Sequence, residues 1–160
     1  MRFTLINDLK QDNSIKPILN GLLLFTLIYL VADIFVTQSS LGLFSETLKV
    51  TLFGNEEEFI NPMNKSVFLE YIHAQIFFMM IILLTLSAIY ARVSNKKSYS
   101  LFIVNTLMLS GLLTLFSFGG TYFIHPDFIH LYILNFFLWH ITAFYMSSYS
   151  LWVLNFEKSI

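Results

Sequence analysis

Five ionisable side chains lie in or beside long apolar segments of this sequence: Asp33, Glu70, His73, His130 and His140. A charge in lipid is costly, so such residues usually serve a binding site, a proton path or an internal contact. Imidazoles and carboxylates ligate metal ions and exchange protons, and imidazoles also ligate haem iron. These five residues are therefore the candidate functional residues, and the segments that carry them decide which chemistry they can do.

The remaining composition is that of a membrane protein. Of 160 residues, 56% are hydrophobic and only 12% are charged, whereas a soluble domain has about 25% charged residues. A chain of this size cannot hide so much apolar surface in a soluble core. The net charge of −1 gives no basic surface for nucleic acid. The absence of cysteine excludes disulfide exchange, cysteine-ligated iron–sulfur clusters and covalently attached c-type haem.

Four apolar stretches, at about 18–38, 67–91, 101–119 and 129–154, are long enough to cross a bilayer, which takes about 20 residues. We therefore predict an all-α fold, a four-helix integral membrane bundle with up-down-up-down topology. No repeat or composition change divides the chain, so residues 1–160 are expected to form a single transmembrane domain.

The loop 39–66 contains a further helical pattern. Apolar and threonine residues recur at helical spacing before Gly54, which suits a helix C-cap. The pattern predicts a short amphipathic helix that lies on the outer membrane surface. Its spaced residues are Leu41, Phe44, Leu48, Thr51 and Leu52.

The distribution of lysine and arginine predicts the orientation. Cytoplasmic loops carry an excess of basic residues. With the N-terminus inside, seven of the nine basic residues lie inside and only Lys49 and Lys65 lie outside. Both termini are then cytoplasmic, the membrane is the plasma (inner) membrane, and Ser94–Ser100 is a tight cytoplasmic turn. The seven are Arg2, Lys10, Lys16, Arg92, Lys96, Lys97 and Lys158.

Each predicted span also carries a stripe of polar or small residues, which we expect to face neighbouring helices because polar groups avoid lipid. In this topology all five ionisable candidates lie toward the outer half of the bilayer. The stripes are Thr26, Tyr29, Asp33 and Thr37; Glu70, His73, Phe77, Met80 and Ser87; Thr106, Ser110, Gly111, Thr114 and Ser117; and His140, Ala143 and Ser147.

A b-type haem is the first hypothesis for the site. His73 and His140 are the two histidines well inside spans, and imidazoles on different helices can ligate one iron. Asp33 would orient one imidazole, as carboxylates around metal centres do. The residue count places the two histidines about 7–8 Å apart in depth. This difference argues against both imidazoles ligating the iron of one haem. The alternative is that each is a core histidine bonded to a partner, such as His140 to Asp33.

A quinone site is the second hypothesis. A quinone needs a hydrogen-bond donor near each carbonyl, an apolar slot and a group that exchanges protons. Asp33, Tyr71 and His73 could supply these near one interface, and Glu70 with Asp33 could relay protons to the outer face.

A metal site at the outer face is the third hypothesis. Glu70-x-x-His73 places a carboxylate and an imidazole on one helical face, and Asp127-x-x-His130 repeats the spacing. Paired-metal bundles need further carboxylates, and only Asp33 is available. A mononuclear copper, zinc or iron site is therefore favoured over a dinuclear one. Its candidate ligands are Glu70, His73, His130 and His140.

The fourth hypothesis needs no cofactor. The chain would be an accessory subunit that packs against a larger membrane complex, or a homo-oligomer, and polar pairs would fix the helix register. A redox-associated role is slightly preferred, and whether the chain is an enzyme stays open.

Overall fold

A computed structural model describes residues 15–94 and 97–156 of the chain. The described part contains four long helices that are apolar enough to cross a membrane, and one short helix. The predicted all-α, four-helix membrane bundle is confirmed. The basic residues Arg2, Lys10, Lys96 and Lys158 and part of the turn Ser94–Ser100 lie outside the described residues. The helices are α1 (Ile15–Ser40), α2 (Ser45–Phe53), α3 (Lys65–Val93), α4 (Lys97–Phe123) and α5 (Phe128–Phe156).

The long helices extend beyond the predicted spans at their ends. An apolar run measures only the hydrocarbon thickness, whereas a helix can continue into the interface on both sides. The difference is clearest in α4, which continues through Gly119 and Gly120 to Phe123. A Cβ atom on Gly120 would lie 3.3 Å from the Phe128 ring, so this glycine allows α4 and α5 to approach closely.

Helix α5 is the centre of the bundle. It packs against all four other helices. Thirteen of its residues are buried, compared with five in α1. The residues on its outward face are also apolar, among them the exposed Leu134, Ile141 and Trp152, so both the buried and the outward side of α5 are hydrophobic.

Helix α1 is peripheral and packs mainly on α5. Its buried residues recur at alternating spacings of three and four, as in a coiled-coil seam. At the end of the seam that lies near the first described residue, the side-chain amides of Asn20 and Asn155 exchange hydrogen bonds of 3.0 and 3.1 Å. Because α1 packs only lightly on α3, a cleft remains between these two helices. The buried residues of α1 are Leu23, Thr26, Leu30, Asp33 and Thr37.

The predicted amphipathic helix is α2, and Gly54 is its C-cap, with a φ of 78° and an N–H that donates to the carbonyl of Val50. Leu48 and Leu52 on its apolar face are buried. They belong to a cluster that includes Phe68 and residues at the start of α5. The apolar face of α2 is thus buried on the end of the bundle, instead of being presented to lipid.

The hydroxyl stripe of α4 serves close packing. Ser110, Thr114 and Ser117 are buried, but each hydroxyl donates to a carbonyl of α4 itself. Such local bonds satisfy the hydroxyl without linking two helices. Within the same stripe, a Cβ atom on Gly111 would lie 3.0 Å from Leu83 of α3.

Gly111→Val should therefore separate α3 from α4. Overpacking a closely packed contact costs about 1–3 kcal/mol, so we expect the unfolding temperature in detergent micelles to fall. Gly21→Val is the matched control, because a Cβ atom on Gly21 would meet nothing within 4 Å. Equal losses in the two variants would show that the Gly111 contact does not limit the packing of α3 on α4.

Candidate functional site

Asp33 and His140 meet in the interface between α1 and α5. Asp33 Oδ2 lies 3.2 Å from His140 Nε2, and the two side chains are only 5% and 2% exposed. The two atoms are within ion-pair distance but are not aligned as a hydrogen bond. Within the described ranges, neither atom has another hydrogen-bond partner. Each of these two atoms therefore depends on the other.

The surroundings of His140 determine where the protons lie. Its Nδ1 is 2.8 Å from the carbonyl oxygen of Phe136, which can only accept, so Nδ1 carries a proton. A neutral ring would then present the lone pair of Nε2 to the carboxylate of Asp33. This contact is attractive only if one further proton lies on Nε2 or on Oδ2. Nε2 of His140 and Oδ2 of Asp33 are thus the two positions where that proton could lie.

Aromatic rings shield this pair. The rings of Phe136 and Trp139 each have their centroid 4.2 Å from that of His140. Trp139 is itself 1% exposed. Because these rings shield the imidazole from water, the other polar contacts of the pair lie on the opposite side of the Asp33 carboxylate.

The other oxygen of Asp33 points toward α3. Gln75 Nε2 donates to Asp33 Oδ1 at 3.0 Å and to the hydroxyl oxygen of Tyr71 at 3.2 Å. The Tyr71 hydroxyl also lies 3.2 Å from Thr37 Oγ1, which returns the chain of contacts to α1. The hydroxyl of Tyr29 lies 3.5 Å from Asp33 Oδ1. We call these residues the Asp33 network: Tyr29, Asp33, Thr37, Tyr71, Gln75 and His140.

Four residues of the Asp33 network line the cleft between α1 and α3: Tyr29, Asp33, Tyr71 and Gln75. The cleft has a volume of about 300 Å³, within the range of small-molecule sites. Ala32 and Ala74 are small residues on either side, which leaves room between the two helices. Val36 and Phe78 also line the cleft, and both are exposed on the surface that faces lipid. The cleft is therefore a lateral opening from the bilayer to buried polar groups.

The remaining predicted site residues lie elsewhere. Glu70, His73 and His130 are exposed on the outward surface of the bundle. No contact of the described residues joins His73 to His140. Within residues 15–94 and 97–156, no three histidine or acidic side chains are arranged to hold a metal ion.

The predicted inward face of α3 was wrong. Glu70, His73, Phe77 and Met80 point outward, and the face that meets the bundle carries other residues. Apolar side chains suit both lipid and core, so hydrophobicity alone does not distinguish the two faces of a membrane helix. The inward residues of α3 include Phe68, Tyr71, Gln75, Met79, Leu83 and Leu86.

Gln75 is a candidate site residue that the sequence reasoning missed. It is the single amide in the apolar run 67–91, and it follows Tyr71 by one helical turn. Residues four apart share a helix face. The signal was therefore present, but the ionisable pair Glu70 and His73 suggested a different face.

The chain belongs to the Aq_1264_TM family, whose model describes a transmembrane helical domain and matches residues 42–159. The matched range contains α2, α3, α4 and α5 and begins after α1. No curated protein matches the chain significantly, and neither does any solved structure. Membership establishes a polytopic membrane protein. In the Asp33 network, Tyr71, Gln75 and His140 lie inside the matched range.

His140→Ala should be strongly destabilising, because it leaves the Asp33 carboxylate buried without its imidazole. Removing one partner of a buried pair costs about 3–5 kcal/mol, whereas replacing both by apolar residues can be neutral. We therefore expect the double variant Asp33→Leu/His140→Leu to unfold closer to the native temperature than His140→Ala does.

Thermal unfolding in detergent micelles measures both variants. The control is Ile141→Ala, since Ile141 neighbours His140 but is 64% exposed. A double variant that is as unstable as His140→Ala would argue against a coupled pair.

Proposed function

We propose that the cleft between α1 and α3 binds the head group of a membrane quinone, and that the Asp33–His140 pair exchanges a proton with it. The observation that carries this proposal is a buried carboxylate–imidazole pair whose Asp33 member lines a cleft that opens to lipid. The proposed role is redox-associated. The electrons would come from a separate membrane redox partner.

The side chains of the cleft match the chemistry of a quinone. A quinone carbonyl accepts hydrogen bonds, and the hydroxyls of Tyr29 and Tyr71 can donate them. A reduced quinone carries hydroxyl groups that donate, and Asp33 Oδ1 can accept. The apolar tail would remain in the bilayer because the cleft is open at its side.

The geometry supports a quinone better than a haem or a metal ion. His140 would have to release its contacts to the Phe136 carbonyl and to Asp33 before it could ligate iron. His73 faces outward, away from this cleft. Glu70 and His130 are also outward, so the predicted metal ligands do not converge on His140.

An accessory role is the second candidate, and it is favoured by the position of Asp33 in the seam of α1. A polar residue at a seam position can fix the register of packed helices. Together with Asn20 and Asn155, the pair would hold α1 on α5 with no ligand. This reading explains the pair, but it does not explain why Tyr29, Tyr71 and Gln75 line an open cleft.

Binding can be measured by tryptophan fluorescence. The chain has two tryptophans, so Trp152→Phe leaves Trp139, which contacts His140, as the single reporter. In lipid nanodiscs we expect saturable quenching by a short-tailed benzoquinone or naphthoquinone. Gln75→Leu and Asp33→Asn should each weaken binding roughly tenfold, the effect of losing about one hydrogen bond.

The control is Phe116→Leu, which alters an outward residue of α4 that is 74% exposed. Quenching that is not saturable, or that is the same in all variants, would overturn quinone binding. Co-purification of a stoichiometric membrane partner would then support the accessory role.

We further infer that both termini are cytoplasmic in the plasma (inner) membrane. The charge pattern supports this orientation, with Lys16, Arg92 and Lys97 at one end of the bundle and Lys49 and Lys65 at the other. The cleft would then open in the outer half of the bilayer.

Because the chain has no cysteine, single cysteines report the orientation directly. In intact cells, Glu57→Cys should react with a membrane-impermeant maleimide, since Glu57 lies in the loop after α2. Ser94→Cys, at the end of α3, should react only after the membrane is permeabilised. The reverse pattern would show the opposite orientation.

A further inference from the structure

Helix α3 carries an ionisable pair on the surface that faces lipid. Glu70 and His73 are exposed, and within the described part of the chain neither side chain makes a hydrogen bond or an ion pair. They lie three and six residues after Val67, where the apolar run of α3 begins, which is about 4–9 Å along the helix axis. Ionisable groups within a span usually face protein or a water-filled cavity.

The pair continues into an outward stripe with the spacing of a helix–helix seam. Glu70, Phe77 and Leu84 recur every seven residues, and His73 and Met80 fall between them at the complementary position. Phe77, Met80 and Leu84 are 52%, 49% and 60% exposed. This 3.5-residue repeat is the one that keeps a seam facing a second helix along its length. We call these five residues the α3 seam.

We propose that the α3 seam binds the α3 seam of a second copy of this chain, forming a symmetric dimer in the membrane. A two-fold axis along the membrane normal places identical residues at the same depth. Glu70 and His73 of both copies would then form one cluster of two carboxylates and two imidazoles. Identical groups would lie opposite each other at each level, so complementarity depends on each His73 N–H donating to the Glu70 carboxylate of the other copy, about one helical turn away.

A second copy is favoured over lipid as the occupant because lipid tails cannot accept or donate a hydrogen bond to either side chain. Outside α3, the long helices of the described ranges expose a single histidine, His130 at the third residue of α5, and no adjacent carboxylate–imidazole pair in their apolar runs. Residues 101–123 of α4 contain no acidic, basic or histidine residue, and the one such residue in 18–40 of α1 is the buried Asp33.

The dimer is independent of the proposed quinone site. Tyr71 and Gln75 line the cleft from a different face of α3, so a second copy on the α3 seam leaves the cleft open. Failure of either proposal would leave the other standing.

Disulfide cross-linking of single-cysteine variants tests the dimer on a background without native cysteine. In lipid vesicles under mild oxidation, we expect Phe77→Cys and Leu84→Cys to form disulfide-linked dimers. Phe78→Cys is the matched control, because Phe78 is adjacent in sequence and 47% exposed but lies off the α3 seam. Phe116→Cys on α4 is a second control. The yield at α3 seam positions should exceed that of both controls by at least roughly tenfold.

The contribution of the ionisable pair is measured by energy transfer between labelled copies at increasing lipid dilution. Glu70→Ala and His73→Ala should each weaken association roughly tenfold, because the two-fold axis counts every lost interhelical contact twice. Asn105→Ala, an outward polar residue on α4, should leave association unchanged.

Either of two results would overturn the proposal. One is equal cross-linking at positions 77, 78, 84 and 116, which would indicate random collision. The other is a wild-type chain that stays monomeric in vesicles, which would assign the α3 seam to lipid or to a different partner. Circular dichroism of each alanine variant shows that a loss of association is not a loss of fold.

Discussion

The contact between Asp33 and His140 is the interaction on which the cleft depends. Lipid provides no solvent partner for a carboxylate, so Asp33 must turn toward protein wherever α1 packs. Its pairing with His140 holds α1 against α5. The pair lies toward the opposite end of the α1–α5 contact from the Asn20–Asn155 hydrogen bonds. Because α1 is fixed on α5, it does not close on α3, and the space between them remains.

The same pairing makes the site suited to binding. Asp33 Oδ2 is engaged with the imidazole, but Oδ1 faces the cleft, where Gln75 and Tyr29 meet it. The 3.5 Å contact from Tyr29 is the longest in the Asp33 network, so its hydroxyl loses little when it turns to a ligand. Gln75 divides its amide hydrogens between Asp33 and Tyr71, and so keeps the carboxylate oriented.

The sequence was sufficient for the fold because span length and the repeat of 3.6 residues are properties of each segment alone. It also placed Asp33, Thr37, Ser110 and His140 correctly toward other helices, since polar groups in these spans have no better environment. It failed for Glu70 and His73 because the polarity of a side chain does not determine which face of α3 packs on the bundle. The contact of Asp33 with Gln75 joins residues 42 positions apart, and only the packing of α1, α3 and α5 on each other brings them together.

Helix α3 therefore presents polar residues on two faces within the same two turns. Tyr71 and Gln75 face the cleft, and Glu70 and His73 face outward. A helix is stiff over two turns because its backbone hydrogen bonds lie along its axis. A rotation of α3 that moved the outward pair would also move the wall of the cleft. The rotation of α3 about its axis that brings Gln75 to Asp33 is therefore the same rotation that leaves Glu70 and His73 on the outward face.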